Sequence, residues 1–588
     1  MFRSSDLAEM SLAGMSLGVA TSRLQCPVVI VGGGPVGLTL ALFLDVYGVQ
    51  SVVFNSEDDT RMYPKGSTEN CRTMEHFRRL GLMPALRGVG MPENHPTDVA
   101  YFTRFNGWEL ARIRMPSERE ARDLVRASGP TDQTPEPMFR ANQMFIDRFL
   151  LRHAMTRANI TLRFGWAVTG IEERADGVAV RAADSQSGTE ERWQAMFVAG
   201  CDGAQGIVRR SLGIGYSGHE NLQQAFHGGR MISTHVRAPA LDEILSRRKA
   251  WQYWALNPEV RSVLLSVNGR EEFALFSRPR DDEPLPDAAA VQRVIQRSAG
   301  VEVPVEVIAQ SPWNSGVARV ADRFGTRRVF LAGDSAHLFT PTGGFGMNTG
   351  IDDAANLSWK LAAVVKGWGG SELLASYEIE RKPIAVRNTT AARELAKRIG
   401  GLNIPAEIEA ESPNGERARA ALGSFLAGNA PQFGSLGVQL GARYDGSPII
   451  VADGEPPLDA IVEYTPSAVP GGRAPHFWLT RGREIGDSVF DRRGLGFTLL
   501  VFRGRGPEAD GLLAAAAERS LPLVRLDISE AYARDLYERD FVLIRPDCHV
   551  AWRGDHPPSD AGWLLDRLAG RVPKTMGGKH GLREIAAP

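Results

Sequence analysis

The chain is poor in cysteine. Its 588 residues hold four, Cys26, Cys71, Cys201 and Cys548, widely spaced and without a CxxC pair. That argues against a disulfide framework and a zinc site, leaves no metal expected, and suits a reducing cytoplasm. Long apolar runs are missing too. None approaches the roughly 20 residues needed to cross a bilayer, so no membrane association is expected. Net charge is nearly absent, at −1, with 68 Lys and Arg against 69 Asp and Glu. Without a basic excess there is no electrostatic footprint for nucleic acid or an anionic lipid surface. Residues 1–24 lack the basic start and dense apolar stretch of a signal peptide. Asp6 and Glu9 precede a run broken by Gly and Ser, and the segment reads as a loose N-terminal extension.

What is present is an ordinary globular mix, 43% hydrophobic and 23% charged, in a chain too long for one core. Two or three domains are expected. The stretch PVVIVGGGPVGLTLALFLDVYGVQSVVFN reads strand, turn, helix, strand. Pro35 stands where a helix tolerates proline and Gly48 where one stops. Further on, WQYWALNPEVRSVLLSVNGREEFALFSR shows period-2 alternation broken at Asn257-Pro258 and Asn268-Gly269, which predicts an antiparallel sheet with a hairpin. A buried-strand pattern returns in RVFLAGDSAH, followed by a helix from about Thr349 to Gly367. The next stretch, from Ser371, predicts more helix, interrupted or begun at Pro383. Residues 401–432 are polar and predict a linker. Beyond them, GFTLLVF, LPLVRLDI and FVLIRPDCHVAWRG predict a small α/β domain whose last strands turn at Pro546-Asp547.

Three motifs carry chemistry. Gly32, Gly34 and Gly37 form GxGxxG between a strand and a helix. The first permits the turn, the second lets a pyrophosphate approach, and the third lets helix and strand pack. The acid expected at the end of the second strand is replaced by Asn55, with Glu57 nearby to compensate. The second motif, CDGAQGIVRRSLG, places Asp202-Gly203 in a tight turn before Arg209 and Arg210; alone it reads as a surface turn. The third is LAGDSAHLFTPTGGFGMNTG. Asp334 can accept from a ribityl or ribose hydroxyl. Pro341 to Asn348 offer nearly bare backbone N–H groups. The helix beyond points its positive end at a flat ring that turns anionic on reduction, as a flavin does. His337 reads as a packing or hydrogen-bonding residue rather than a base.

The three motifs in this order resemble those of the class A flavoprotein aromatic hydroxylases, with the para-hydroxybenzoate hydroxylase fold, over nearly all of residues 24–575. PKGSTENCRTMEHFRRLGL and FRANQMFIDRFLLRHA resemble two more family segments. YERDFVLIRPDCHVAWRGD is similar to the end of the thioredoxin-like domain in the phenol hydroxylase branch. RMISTHVRAP, APHFWLT and HVAWRGDHPP are similar to natural-product tailoring oxygenases of the rebeccamycin and staurosporine type.

The resemblance implies an α/β protein. Its Rossmann-like FAD-binding domain would span 25–100, 137–215 and 317–400. An antiparallel-sheet substrate domain would be inserted at 101–136 and 216–316, and a thioredoxin-like domain would occupy 433–588. It implies an FAD set of Gly32, Gly34, Pro35, Gly37, Asn55, Arg72 at the pyrophosphate, Gln143 at the flavin side chain, Val168, Asp202, Asp334, Pro341, Gly344, Gly346, Met347 and Asn348. The expected substrate wall is Ser67, Trp251, Tyr253, Trp313, Pro341 and Phe345, with Trp251 and Tyr253 alternating onto one strand face. His227, His235 and Tyr253 are candidates for a substrate base.

The implied activity is monooxygenation of an electron-rich aromatic, phenolic or polycyclic, by NAD(P)H and O₂ through a flavin C4a-hydroperoxide. Nicotinamide docks transiently, since no second dinucleotide motif is present. Ser67 stands where small-phenol relatives carry a histidine, and the C-terminal domain has no CxxC for dithiol chemistry. The first difference favours a bulky substrate of secondary metabolism over a catabolic hydroxylation of phenol or 3-hydroxyphenylpropionate. A flavin dehydrogenase and a product-sequestering flavin-binding protein stay open as other classes, and so does a homodimer.

Overall fold

The computed structural model describes residues 24–131, 133–219, 230–278, 284–314, 317–480 and 483–571. The all-apolar run Val28–Val31 forms the end of the strand Leu24–Val31 and is buried, as a central parallel strand requires. It pairs in parallel with Ser51–Asn55 on one side and Glu190–Gly200 on the other. Ile160–Phe164 lies outside Ser51–Asn55. The strand Glu190–Gly200 has two partners on its far side. Its first half pairs antiparallel with Val178–Asp184, and its last three residues pair in parallel with Val329–Leu331. Trp166–Glu173 completes the sheet. The helices Pro35–Val46 and Phe345–Val365 pack together on it, close enough that a Cβ on Gly350 would sit 2.7 Å from Val36 Cγ2.

The second sheet has seven strands. In spatial order they are Glu306–Asn314, Arg230–Arg237, Glu272–Ser277, Arg261–Ser266, Gln252–Leu256, Val99–Phe102 and Glu109–Ile113. All neighbours are antiparallel except Gln252–Leu256 and Val99–Phe102. The predicted hairpin is present. Gly269 takes φ +73°, and Asn268 Oδ1 accepts from the N–H groups of Arg270 and Glu272. The expected boundary at 100/101 falls inside the strand Val99–Phe102, so the inserted domain begins at Val99, where cross-strand pairing claims the chain. One face of the sheet packs Phe102, Tyr253, Leu264 and Phe273 against the helices Pro239–Leu245 and Ala288–Ala299. The other carries Tyr101, Trp254, Val263 and Phe276 toward Met144, Ile399 and Leu422.

Three further expectations need correction. Residues 401–432 are no linker. Ser412 caps a helix, Pro413–Ala427, whose Ala418, Leu422 and Leu426 form a buried stripe. That four-residue spacing is a helical seam that the polar composition masks. The helix Ser371–Gly400 runs through Pro383 unbroken. The carbonyl that loses its partner belongs to exposed Ile379, where solvent replaces the bond. The helix expected from Thr349 begins at Phe345, because Gly344 in the left-handed region at φ +66° starts it a turn earlier.

The C-terminal sheet has the order Leu523–Ile528, Phe497–Phe502, Phe541–Ile544, Val550–Gly554, with helices Asp510–Glu518, Ala531–Tyr537 and Ala561–Leu568. Its last strands turn at Pro546-Asp547, as predicted, with Cys548 at φ +70° donating its N–H to Arg545 O. This domain shares a core with the first. Trp359 and Trp368 stack, and both meet Phe497 edge-on. Around them runs a buried ionic seam. Arg545 bridges Glu380 and Asp547, Lys360 reaches Glu380 at 2.6 Å, and Arg473 pairs with Glu75. Burial would raise the Glu75 and Glu380 carboxyls. The neighbouring cations outweigh it, Arg473 and Arg72 for Glu75 and Arg545 and Lys360 for Glu380, and hold each at about 2.

Candidate functional site

The strand registers decide where the site lies. Val31 and Leu331 both pair with Gly200, so three adjacent parallel strands end side by side. Each of the three motif turns leaves from one of these ends. In an open α/β sheet this is the crevice where ligands bind. Backbone bonds lock the turns together: Gly32 N–H donates to Phe54 O, Cys201 N–H to Val31 O, and Ala332 N–H to Gly200 O.

The glycines of the first turn meet different surroundings. Gly32 takes φ +111°, and a Cβ there would sit 2.3 Å from Cys201 O. A Cβ on Gly37 would sit 2.0 Å from Gly32 O, so this glycine sets the approach of helix to turn. A Cβ on Gly34 would meet nothing within 4 Å. Gly34 also caps the helix Pro35–Val46 with no side-chain hydrogen bond. Free first-turn N–H groups beside open space fit a pyrophosphate. Asn55 Oδ1 accepts from Gly33 N–H at 3.2 Å while its amide donates to Glu57 O. Glu57 itself is paired with Arg61.

In the second turn, Asp202 is turned inward. Its carboxylate accepts from Val208 N–H at 3.0 Å and from Ser335 Oγ at 2.9 Å, and Ser335 Oγ also accepts from Gly203 N–H. Asp202 thereby fastens the second motif to the third, and burial raises its pKa. Asp334 does the opposite. Its carboxylate is exposed and makes no hydrogen bond among the described residues, while its backbone carbonyl accepts from Tyr216 OH at 2.6 Å. An outward carboxylate at a strand end suits a ligand hydroxyl. His337 is fully buried with Nε2 2.6 Å from Asp353, a hydrogen-bonding residue as expected.

The loop Pro341 to Asn348 is bare where it matters. Gly343 and Gly344 take φ +83° and +66°, and Gly344 caps the helix Phe345–Val365 with no side-chain bond. Gly346 and Met347 are half-buried. Asn348 is fully engaged by protein: Oδ1 accepts from Asn70 N–H and Thr73 Oγ1, and Nδ2 donates to Thr68 O and Gly344 O. Only its backbone is left for a ligand. The two uncapped helix ends, the open Gly34 and the outward Asp334 together fit an FAD.

Several expected residues sit elsewhere. Arg72 is buried, with Nε on Asp352, one amino group on Glu75 and the other on Asp547 O. With these three acceptors it is part of the ionic seam. Phe345 packs with Phe339, Ala391 and Leu395 against the helix Ser371–Gly400. Tyr253 is correctly a strand residue but not a site residue. The strand begins at Gln252, both Trp251 and Gln252 donate N–H to Asp98 O, and this irregularity breaks the alternation that would put Trp251 and Tyr253 on one face. Tyr253 points into the helix-covered core, where its hydroxyl accepts from Ala250 N–H at 2.7 Å and burial pushes its pKa well up. It is no base. Val168 is buried in the core of the first sheet. His235 pairs with Ala274 in register and bonds Glu272 at 3.0 Å. His227 and the Trp313 side chain lie outside the described residues.

Other expected residues do come together. Ser67 Oγ accepts from Trp251 Nε1 at 3.1 Å, and Ser233 Oγ donates to Pro64 O at 2.8 Å. The segment 64–70 therefore lies between the flavin loop and the substrate sheet. Its other neighbour is the segment 139–143: Glu69 and Phe139 exchange backbone bonds, and Gln143 N–H donates to Gly66 O. Gln143 reaches Asp147, which burial pushes up to about 7 against the pull of Lys65. The sequence reading passed over Thr68, Glu69, Arg140 and Asp147. All lie inside segments it singled out, but nothing local shows a polar residue to be buried between two domains.

With this geometry in view, comparisons with known proteins agree. Residues 25–392 match the FAD binding domain family and residues 467–572 the aromatic-ring hydroxylase C-terminal family. The chain is 33% identical over 563 residues to the FAD-dependent monooxygenase apdD of Emericella nidulans, covering 90% of this chain and 87% of that one. It is 33% identical over 560 residues to a putative polyketide hydroxylase of Streptomyces halstedii, covering 91% and 94%. The structure of RebC soaked with chromopyrrolic acid and holding 7-carboxy-K252c superposes with a TM-score of 0.84 at 34% identity, covering 94% of this chain and 100% of that one.

Proposed function

The chain belongs to the aromatic-ring hydroxylases built on an FAD-binding domain, and from that premise we propose that its substrate is a bulky, electron-rich polycyclic aromatic compound of secondary metabolism. The chain is an FAD-dependent monooxygenase. FAD, when bound, would supply the redox chemistry of hydride acceptance from NAD(P)H and oxygen transfer from O₂ to a ring carbon.

The chain's own residues position and shelter that chemistry. Gly32, Gly34, Pro35 and Gly37 would hold the pyrophosphate, and Asp334 a ribityl or ribose hydroxyl. The backbone from Pro341 to Asn348 would hold the ring, with the positive helix end at Phe345 favouring its anionic edge. Gln143 and Asn55 would border the same crevice. Asn348, through its four side-chain bonds, fixes the ring loop to the segment 68–73. The substrate would lie between this loop and the sheet face carrying Trp251 and Trp254, where apolar walls keep water out.

One observation carries the substrate size. Ser67, at the join between flavin loop and sheet, is small, and its hydroxyl is already held by the Trp251 indole. A side chain this small would leave room for fused rings, and it cannot take a phenol proton. The substrate must therefore be acidic in its own right or activated by its ring system. Relatives support this reading, since two of them are named as putative polyketide hydroxylases. The test is oxygen incorporation under ¹⁸O₂, with NAD(P)H and O₂ consumption measured for phenol, 3-hydroxyphenylpropionate and polycyclic phenols. Coupled labelling of a polycyclic phenol is expected, with peroxide release from phenol. Efficient coupled hydroxylation of the small phenols, without response to larger rings, would sink it.

A further inference from the structure

Arg140 is 6% exposed and has no carboxylate within ion-pair distance among the described residues. One amino group donates to Thr68 Oγ1. The other reaches only the Met115 thioether at 3.6 Å, a weak acceptor. Its Nε–H has no acceptor among the described residues. The guanidinium lies 3.8 Å from the centre of the Trp251 ring. Other buried arginines are better satisfied: Arg381 holds Asp352 and Asp353, Arg473 holds Glu75, Arg545 holds Glu380 and Asp547, and Arg493, which also lacks a carboxylate partner, donates to the Arg545 and Pro546 carbonyls. A buried cation with neither counter-ion nor full hydrogen bonding is unfavourable unless something else completes it.

Its position says what that is. Thr68, the one strong acceptor of Arg140, is also the side chain that a Cβ on Gly344 would meet at 3.3 Å. Trp251, on which it stacks, is the indole that holds Ser67. Arg140 is thus one side chain from the flavin loop and in contact with the substrate wall. A cavity of about 70 Å³ opens on it, lined also by His95, Thr97, Met115 and Phe139. The acid whose charge acts on it is Glu69, while Glu118, which lines the same cavity, is paired with Arg87. One Glu69 oxygen accepts from Ala141 N–H at 3.1 Å and the other has no partner. Burial pushes Glu69 up to about 8 and pulls Arg140 down only to about 9. Burial thus favours the neutral form of the Glu69 carboxyl.

We propose that Arg140 sets the charge specificity of the site: the polycyclic substrate carries a carboxylate, which Arg140 binds while the rings lie against Trp251. This inference rests on the hydroxylase reading above but can fail separately from it.

The test uses the FAD-loaded full chain and two probes, 3-hydroxy-2-naphthoate and its methyl ester, titrated by the change in flavin absorbance. The wild type should bind the acid at least tenfold more tightly than the ester. Arg140→Met should erase that ratio with FAD content unchanged, and Arg140→Lys should keep part of it. A role confined to packing would move both affinities together. Should Arg140→Met fail to fold, Arg140→Gln and Arg140→Lys make the same comparison. A wild type that binds neither probe or both equally, or a charge-removing variant that keeps the acid preference, overturns the proposal. Acid preference with no ¹⁸O incorporated into any polycyclic phenol would leave Arg140 in place and sink the substrate reading instead.

Discussion

At the scale of single residues, the glycines of the first turn separate folding from cofactor binding. Gly37 has a carbonyl where its Cβ would go, whereas Gly34 has empty space. Gly37→Ala should therefore lower the melting temperature, and Gly34→Ala should leave it nearly unchanged while reducing the FAD retained on purification. Circular dichroism melts and flavin absorbance on the two variants check this; equal melting losses would show that Gly34 has a packing role. Asp334 makes a second case. Its carboxylate serves no described residue, so Asp334→Ala should fold normally. It should lose roughly 1–3 kcal/mol of FAD affinity, the worth of a hydrogen bond from a ligand hydroxyl to a charged acceptor. A flavin titration of the apo-variant decides it, and unchanged affinity would remove Asp334 from the site. The turn holding Gly34 and Gly37 and the strand end at Asp334 were legible in the sequence, because a strand end before GxGxxG or GDS constrains the backbone locally. Arg72 was not, since its partners Asp352 and Asp547 come from chain hundreds of residues away.

At the scale of elements, the helix Pro413–Ala427 shows how composition misleads. Its sequence is polar, yet Gly423 lies so close to the strand Glu109–Ile113 that an added Cβ would sit 2.2 Å from Leu110 O. Gly423→Ala should push helix and strand apart and destabilise the chain by roughly 1–3 kcal/mol, the usual effect of overpacking. Denaturant unfolding measures it; a neutral substitution would mean the helix docks loosely and the linker reading was nearer the truth. The strand after Trp251 teaches the reverse lesson. Period-2 alternation correctly predicted Gln252–Leu256, but it assigned Trp251 and Tyr253 to one face because a local irregularity at Asp98 is invisible to periodicity.

At the scale of the whole molecule, the ionic seam ties the C-terminal domain to the helix whose other end forms the flavin loop. Glu75 and Glu380 are held at about 2 from an ordinary 4.5. The fold favours their ionised forms, so their contribution is complete above about 4.5 and is lost as pH falls toward 2. His76, held at about 4 by burial and Arg72, adds to the loss below about 6.5, because its protonated form is disfavoured in the fold. Glu69 and Asp147, raised by burial, run the other way and remove stability as pH rises from about 4 to 8. Flavin release and loss of helical signal should therefore coincide on acidification below about pH 5. Release of flavin well before unfolding would show that the seam does not support the site. The seam needs no thiol. Cys548 is buried and free, so Cys548→Ser should leave turnover nearly intact. A large fall with FAD content and folding unchanged would give this domain a redox role.

The sequence alone determined the cofactor turn, the order of the motifs and the family, because each rests on short-range backbone demands: a glycine where the chain must bend, a proline where a helix may begin, a small residue where phosphate approaches. Tertiary structure alone decided which polar side chains face the site. Pairing of Val31, Gly200 and Leu331 brings three distant turns to one crevice. Packing of the segments 64–70 and 139–143 against the second sheet leaves Arg140 buried beside Trp251 without a counter-ion. Whether a charged residue is paired depends on partners far along the chain, and no local pattern records them.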